Sequence, residues 1–523
     1  MRVKRERFSK EVFVKNNIPR VRIGMIQSAD EIHFGCDSTF TVFSLGGEKV
    51  ATGLAGQNYT VGADHCKPSQ IFYCVRLAIA ITEAEKKRRQ EELAQRGIAT
   101  TAWRPGVVLS LGGGDMDNRE YWMVTEPFAD ENAAREYART YEPIGEAVVV
   151  KDIIRKSSGT LLFGQHRLEN GLRIVADKAE ALLQLHDVTV GIEFHWQHKR
   201  TQLIPGVLEI NLNNAGHLQA INELDIESYL MSVNSSEMTK DNPIELLKAQ
   251  TIAARSTILA TMGKHHYDEN FHICSDDHCQ CYHGVGNISQ ASRQAAHDTL
   301  GENLLHDGRV CDARYAKICG GIMEDYRDIW DHREIPYLVP GSDGRENMTY
   351  PLRDEQQVKD YIDSSPDVWC NTQKYEIPSS LPYNTRELFR WKVSYEREEL
   401  EALISRRLDE NFGDLIDIIP GDRAPGGRLI YMDVVGSKRT LRVGKELMIR
   451  RALSESHLYS ACFYIERAYD AAGKITHFHL IGAGWGHGVG LCQVGATVMA
   501  QQGFDYRAIL AHYYKNSKLE KLY

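Results

Sequence analysis

Residues 242 to 263, NPIELLKAQTIAARSTILATMG, constrain the fold more than any other stretch. The pattern predicts a helix with signals at both ends. Asn242 can serve as N-cap, Pro243 fits the first helical position, and Glu245 falls three residues after the cap, within reach of the cap amide. Ile244, Leu247, Thr251, Ala254 and Ile258 recur at helical spacing and predict one packed stripe. Gly263 supplies the stop. The short run SSEM just before it reads as a loop, which places Glu237 at the mouth of a rigid element that also carries Arg255.

The segments before this helix are mostly strand-sized. VRIGMIQ, IHFGC, FTVFSL and KVATGL are separated by polar or Gly-containing turns and predict an N-terminal β unit over residues 1–65. Residues 66–145 change character. IFYCVRLAIAI reads as a strand, TEAEKKRRQEELAQRG as a charged helix, YWMVTEPF as a strand and ADENAAREYARTY as a helix. This β-α, β-α order is that of a ferredoxin-like unit. It resembles the SPOR domain, which binds glycan strands stripped of stem peptides; the plainer reading is an insertion that packs on the main domain. EAVVVK, TLLFG, LRIVA, LLQLHDVTVGIEF, VLEINLN and HLQAINEL then return to strands. The expected class is α+β: a β-rich, antiparallel, barrel- or sandwich-like core with helices beside a cleft, plus the small inserted β-α unit. Residues 146–523 form the main domain, with a polar insertion around 342–455.

A formal charge of -9 argues against a nucleic-acid binder. No apolar run approaches the ~20 residues of a membrane helix. The basic N-terminal stretch is followed by no apolar segment of the roughly 7–15 residues that a signal peptide needs.

Eight of the twenty residues from 265 to 284, HHYDENFHICSDDHCQCYHG, are His or Cys. Thiolates and imidazoles at this density suit a tetrahedral zinc site, although the spacing is not that of a standard finger. A disulfide or free thiols are the alternatives. The other eight of the 11 cysteines are scattered and read as small buried apolar side chains. Near the end, GAGWGHGVGLCQVGA places Gly484, Gly486, Gly488 and Gly490 around His487 and leads to Gln493. The glycines suit a strand-to-helix bend with bare backbone facing a ligand, and their spacing is not that of a dinucleotide loop.

SSEM with PIELLKAQTIAARS, the CSDDHCQ segment, and GWGHGVGLCQVGA with ILAHYY together resemble the stage II sporulation protein D (SpoIID/LytB) family, over roughly residues 150–520. The resemblance implies a peptidoglycan lytic transglycosylase. Glu237 matches the catalytic acid and Arg255 an active-site arginine. His266, Cys274, His278 and Cys279 match a structural zinc site, with His272 as a substitute for His266 and Cys281 and His283 in reserve. Gly320 and Gly321 after Cys319, then Trp330 and Tyr337, match the substrate cleft, as do His487 and Gln493. Cys492 stands where the motif usually has Ser. Peptidoglycan glycan strands are the implied partner, and an extracytoplasmic location follows, at odds with the missing signal-peptide pattern. Two further readings are a non-catalytic wall-binding enhancer of an amidase and a glycan hydrolase. The latter would draw on Glu223, Asp225, Glu227 or Glu324 as a second carboxylate.

Overall fold

The computed structural model describes residues 8–112, 114–141, 146–192, 197–238, 242–276, 278–345, 351–378, 381 and 383–523. The basic start at residues 1–7, and Glu193 and Phe194 at the end of a strand expected from sequence, lie outside these. The chain is mixed α+β and β-rich, and none of its described sheets closes into a barrel.

Two large antiparallel sheets share one core. The first runs Val14–Lys15, Ile18–Ala29, Leu218–Asp225, Val207–Leu212, Gly171–Ala176, Phe40–Ser44 and Lys49–Gly53. Its one parallel addition is the short strand Ile273–Cys274, which pairs with Ile23 and Gly24. The second runs His166–Glu169, Ser158–Phe163, Asn58–Lys67, Ile32–Cys36, Leu183–Val190 and His198–Ile204. The N-terminal strands therefore interleave with strands from residues 158–225. Alternation drives this: Val21, Ile23 and Met25 face the same core as Phe34, Phe40, Leu185 and Ile210. Leu218–Asp225 is buried on both faces: Leu218, Ala220 and Leu224 share the main core with Tyr229, Leu230 and Val233, and Ile221 on the other face packs against Phe271 and Cys274.

Gln70–Ala80, Thr101–Trp103, Tyr121–Val124 and Val148–Arg155 make a separate four-stranded antiparallel sheet. Numbered along the chain, its strands lie in the order four, one, three, two, which is ferredoxin-like topology. Helices Glu83–Gln95 and Glu131–Thr140 pack on it over Val75, Leu77, Leu93, Met123 and Ala134. The strand Val148–Arg155, grouped by sequence with the later β region, closes this sheet instead.

The helix Ile244–Thr261 forms where the sequence places it, with two differences. Its N-cap is Pro243, which offers no side-chain hydrogen bond. Glu245 reaches Lys248 and the Tyr506 N–H rather than the cap amide. The apolar stripe is buried from Leu247 onward, but burial is not confined to it. Ile244 is 37% exposed, whereas every residue from Ala249 to Thr261 is buried. Helices Ile226–Glu237, Gln290–Asp298, Gln493–Gln501 and Tyr506–Tyr513 pack on different sides of it, so it is enclosed all round. Gly263 follows at φ +76°, as a helix stop requires.

Within the polar region, Arg390–Glu396 pairs with Ile475–Ala483, and that strand with Phe463–Tyr469. A second sheet of Leu415–Pro420, Tyr431–Gly436 and Thr440–Gly444, with helices Arg397–Leu408 and Glu446–Ala452, completes a core around Leu400, Ile418, Met432, Ile449 and Phe478. No described helix is long and apolar enough to cross a membrane.

Candidate functional site

Glu237 is the last residue of the helix Ile226–Glu237, which Asp225 caps by accepting a hydrogen bond from the Ser228 N–H. It thus sits on a helix end rather than in a free loop. The carboxyl is partly buried, and its Oε1 accepts from the Cys281 N–H at 3.1 Å. Burial raises its pKa above the ordinary range. The Cys281 amide and the Lys317 ammonium oppose the rise without cancelling it. Tyr315 lies close enough that its own pKa responds to Glu237.

The strand Tyr315–Ala316 runs parallel to Leu491–Cys492, which aligns Tyr315 and Lys317 on one face by simple alternation. Beyond it, the Trp330 ring stands 4.8 Å from His487 and lies under the Arg314 guanidinium at 5.2 Å. His487 Nδ1 accepts from the Val489 N–H, and the ring also hydrogen-bonds the backbone of Tyr315. Burial, with Arg314 and Arg428 nearby, holds His487 well below its usual pKa, so it is neutral. Tyr315 therefore links the Glu237 end of the site to the Trp330–His487 end. Arg314, Tyr315 and Lys317 escaped the sequence reading. Their position immediately before Cys319-Gly-Gly was the available signal.

The four expected metal ligands come together. One donor atom each from His266, Cys274, His278 and Cys279 lies within 4.8 Å of the others. Cys274 is placed by its strand pairing to Gly24. The loop bearing His266 is held by Lys10, whose ammonium donates to the carbonyls of His266, Glu269 and Phe271. His266 Nε2 is buried and meets no hydrogen-bond partner among the described residues, as expected of an atom meant for a metal. Hydrogen bonds from Cys279 and from the His266 and His278 rings push the Cys274 thiol down, toward the thiolate a metal needs. Two thiolates and two imidazoles are a fitting zinc donor set. His272 is no substitute: its Nδ1 accepts from the Arg22 N–H and its Nε2 faces the Glu11 carbonyl. His265, overlooked in the sequence, lies closer, with Nδ1 3.9 Å from Cys279 Sγ. The quartet adjoins Glu237 in space, because Cys281, whose N–H donates to the Glu237 carboxyl, follows Cys279 by two residues.

Several other expected site residues serve the fold. Arg255 is 0% exposed; its Nε and Nη2 pair with both oxygens of Glu227 at 2.8 and 2.7 Å, and its Nη1 donates to the Glu302 carbonyl. It has no open face for a substrate. Gly320 and Gly321 have φ of +89° and +112° and are buried, and a Cβ on Gly321 would lie 2.2 Å from the Tyr361 hydroxyl. They are glycines because protein, not sugar, crowds them. The same holds for Gly488 and Gly490, whose added Cβ atoms would strike Arg428 and the Arg314 carbonyl. Gln493 is 4% exposed and faces Gln250 on the enclosed helix. The Tyr337 hydroxyl accepts from the Asp312 N–H.

The four alternative carboxylates are committed as well. Glu223 meets Arg20, Arg22 and Arg173. Asp225 caps its helix, Glu227 holds Arg255, and Glu324 is buried between Arg428 and the Gly426 N–H.

Residues 214–306 match the family Stage II sporulation protein, and residues 324–490 match a Domain of unknown function (DUF8618). Glu237 and the Cys/His quartet fall in the first segment, Trp330 and His487 in the second. An uncharacterised protein of Brachyspira hyodysenteriae is 27% identical over 295 residues, covering 56% of this chain and 66% of that protein. The amidase enhancer of Bacillus subtilis is 25% identical over 297 residues, covering 55% of this chain and 40% of the enhancer. The stage II sporulation protein D of Bacillus amyloliquefaciens is 23% identical over 310 residues, covering 57% and 74%. The alignments thus span well under half of the enhancer and about two thirds of the Brachyspira protein. Taken with the Glu237 helix and the Cys/His loop behind it, these matches support the stage II sporulation protein D (SpoIID/LytB) family for the segment that carries Glu237 and the quartet.

Proposed function

We propose that the protein is a peptidoglycan lytic transglycosylase acting outside the cytoplasm. It would cleave the β-1,4 bond between N-acetylmuramic acid and N-acetylglucosamine and leave 1,6-anhydro ends. The observation that carries this reading is a single partly buried carboxyl, Glu237, whose pKa burial raises, while the four candidate second carboxylates are bound elsewhere. A hydrolase needs two acids flanking the bond. A transglycosylase can use one, because no water is added.

Glu237 gives its proton to the bridging oxygen as the glycosidic bond breaks. The carboxylate so formed is stabilised by the Cys281 N–H and by Lys317. It then takes the proton of the muramoyl C6 hydroxyl, whose oxygen closes onto C1. Trp330 offers a flat face for a sugar ring, and neutral His487 beside it can exchange hydrogen bonds with hydroxyls or an acetamido group. His266, Cys274, His278 and Cys279 would hold a zinc ion with four protein ligands, an arrangement that is structural rather than catalytic. Its supply is rigidity, since the loop it closes carries the amide that holds Glu237.

The alignment to an amidase enhancer favours a second reading, a wall-binding protein that stimulates an N-acetylmuramoyl-L-alanine amidase. Mass spectrometry of digested glycan strands, denuded and peptide-bearing, separates the cases. Anhydro ends support the transglycosylase, and reducing ends mean a hydrolase. Intact strands with faster amidase turnover mean an enhancer.

A further inference from the structure

Three of the scattered cysteines are not scattered in space. Cys319, Cys370 and Cys492 converge with Asp343, one donor atom each, all within 4.8 Å of one another. We propose that these four residues form a second, structural zinc site, separate from the His266 quartet.

The geometry suits a metal better than a sulfur–sulfur bond. Cys319 Sγ and Cys370 Sγ are 3.8 Å apart. A disulfide needs about 2.05 Å. Zinc–sulfur bonds of about 2.3 Å arranged tetrahedrally put neighbouring sulfurs ~3.8 Å apart. All four residues are buried. Three of the four donors, those of Cys319, Cys492 and Asp343, are also oriented by a second layer of hydrogen bonds, as metal ligands usually are. The Cys319 N–H and Gly495 N–H point at Cys492 Sγ, at 3.3 and 3.4 Å, and the Gly321 N–H points at Cys319 Sγ at 3.3 Å. Asp343 accepts from the Cys370 N–H at 2.9 Å and from the Tyr513 hydroxyl at 2.6 Å. Gly495 makes room for it: a Cβ there would lie 2.3 Å from Asp343 Oδ1.

Charge points the same way. No cation faces Asp343 among the contacts drawn above, so its carboxylate form would be costly in this interior unless a dication sat beside it. With three thiolates, one carboxylate and a dication, the site would carry the same formal charge as an ordinary four-cysteine zinc site. The N–H donors and the start of the helix Gln493–Gln501, which Cys492 caps, offset the remainder.

The site has a clear mechanical use. Cys319 and Cys492 bracket the segment 324–490, and Asp343 and Cys370 lie within it. A metal here would pin that segment at the point where it leaves and rejoins the rest of the chain. It would also fix the strand Tyr315–Ala316, and Lys317 just after it, from behind, through the pairing with Leu491 and Cys492.

Zinc content of the purified full chain, by elemental mass spectrometry, tests this without reference to activity. Wild type is expected to hold two equivalents, and Cys279→Ser and Cys370→Ser one each. Cobalt substitution of Cys279→Ser should still give thiolate-to-cobalt charge-transfer absorption, a readout that does not depend on Cys370→Ser folding. A zinc-free, cobalt-silent Cys279→Ser protein overturns the proposal. So does a Cys319–Cys370 disulfide in non-reducing peptide maps of the native protein.

Discussion

Glu237, the proposed catalytic acid, would carry both chemistry and a stability penalty. Its folded pKa lies above the unfolded value of about 4.3, so the folded state binds the proton more tightly. Stability therefore falls as pH rises from the unfolded pKa to the folded one, and the full penalty persists above it. Glu237→Gln should remove the penalty. The variant is expected to exceed the parent in urea midpoint at pH 8 and to match it near pH 4, while glycan cleavage drops about 10²- to 10⁴-fold. Equal midpoint differences at both pH values would mean the carboxyl is not shifted. Arg255 gives the opposite expectation. Removing it by Arg255→Met strands the Glu227 carboxylate in the interior with the Tyr523 hydroxyl, a loss of about 3–5 kcal/mol. Urea unfolding checks it, and Arg255→Met/Glu227→Leu should recover much of the loss. If the arginine instead touched substrate, activity would fall with stability intact. Sequence exposed Glu237 because a helix end and a family motif coincide there. It misassigned Arg255, Gly320 and Gly321 because a motif records that a residue is needed, not whether its neighbour is a ligand or the Tyr361 hydroxyl.

The loop from His265 to Gly284 has one two-residue strand, Ile273–Cys274, and no helix among its described residues. Its shape must come from side chains. Lys10 holds one end, and Tyr229 ties the other by donating to Gln280 at 2.9 Å. A metal between them would set the middle. We expect His278→Ala to lower thermal stability, by less than the roughly 10 kcal/mol or more that zinc gives an isolated finger, because Lys10 remains. Glycan cleavage should fall too, since the Cys281 amide loosens its hold on Glu237. A His278→Ala protein with unchanged melting temperature and zinc content would show that the loop needs no metal. This element was legible because cysteine and histidine density is a chemical signal in itself. The helix Ile244–Thr261 was legible at its glycine end but not in its orientation. A stripe identifies a buried face only when the opposite face meets water, and here other helices cover it.

At the scale of the whole molecule, the inserted unit is the sharpest test of what the architecture means. Its ends touch: the Ser157 N–H donates to Ser69 Oγ at 2.9 Å, and Ser158 pairs with Lys67 across the second large sheet. Cutting out residues 68–157 and joining Lys67 to Ser158 with a two-residue Asn-Gly turn would leave that hairpin's register intact. On topology alone the excised protein should fold as before. The packing says otherwise. The hairpin Gly106–Leu111 and Gly114–Asp117, lying within the insertion, sends Val107, Leu109 and Leu111 into the core of the two large sheets. Asn118 donates to the carbonyls of Leu259 and Met262, satisfying the C-terminal end of the enclosed helix. Tyr267, at the start of the metal loop, is wedged against Trp103 and Trp122 and bonded to Lys151. Sequence could show a β-α unit with its own core, yet not these contacts, because they join residues more than a hundred positions apart. We therefore expect the excised chain to lose several kcal/mol, from three buried aliphatic side chains at about 2–3 kcal/mol each. It should also lose zinc from the His266 quartet. Urea unfolding and metal content decide the matter: wild-type values for both would make the unit a passenger, and losses in both would make it the buttress behind the loop from His265 to Gly284.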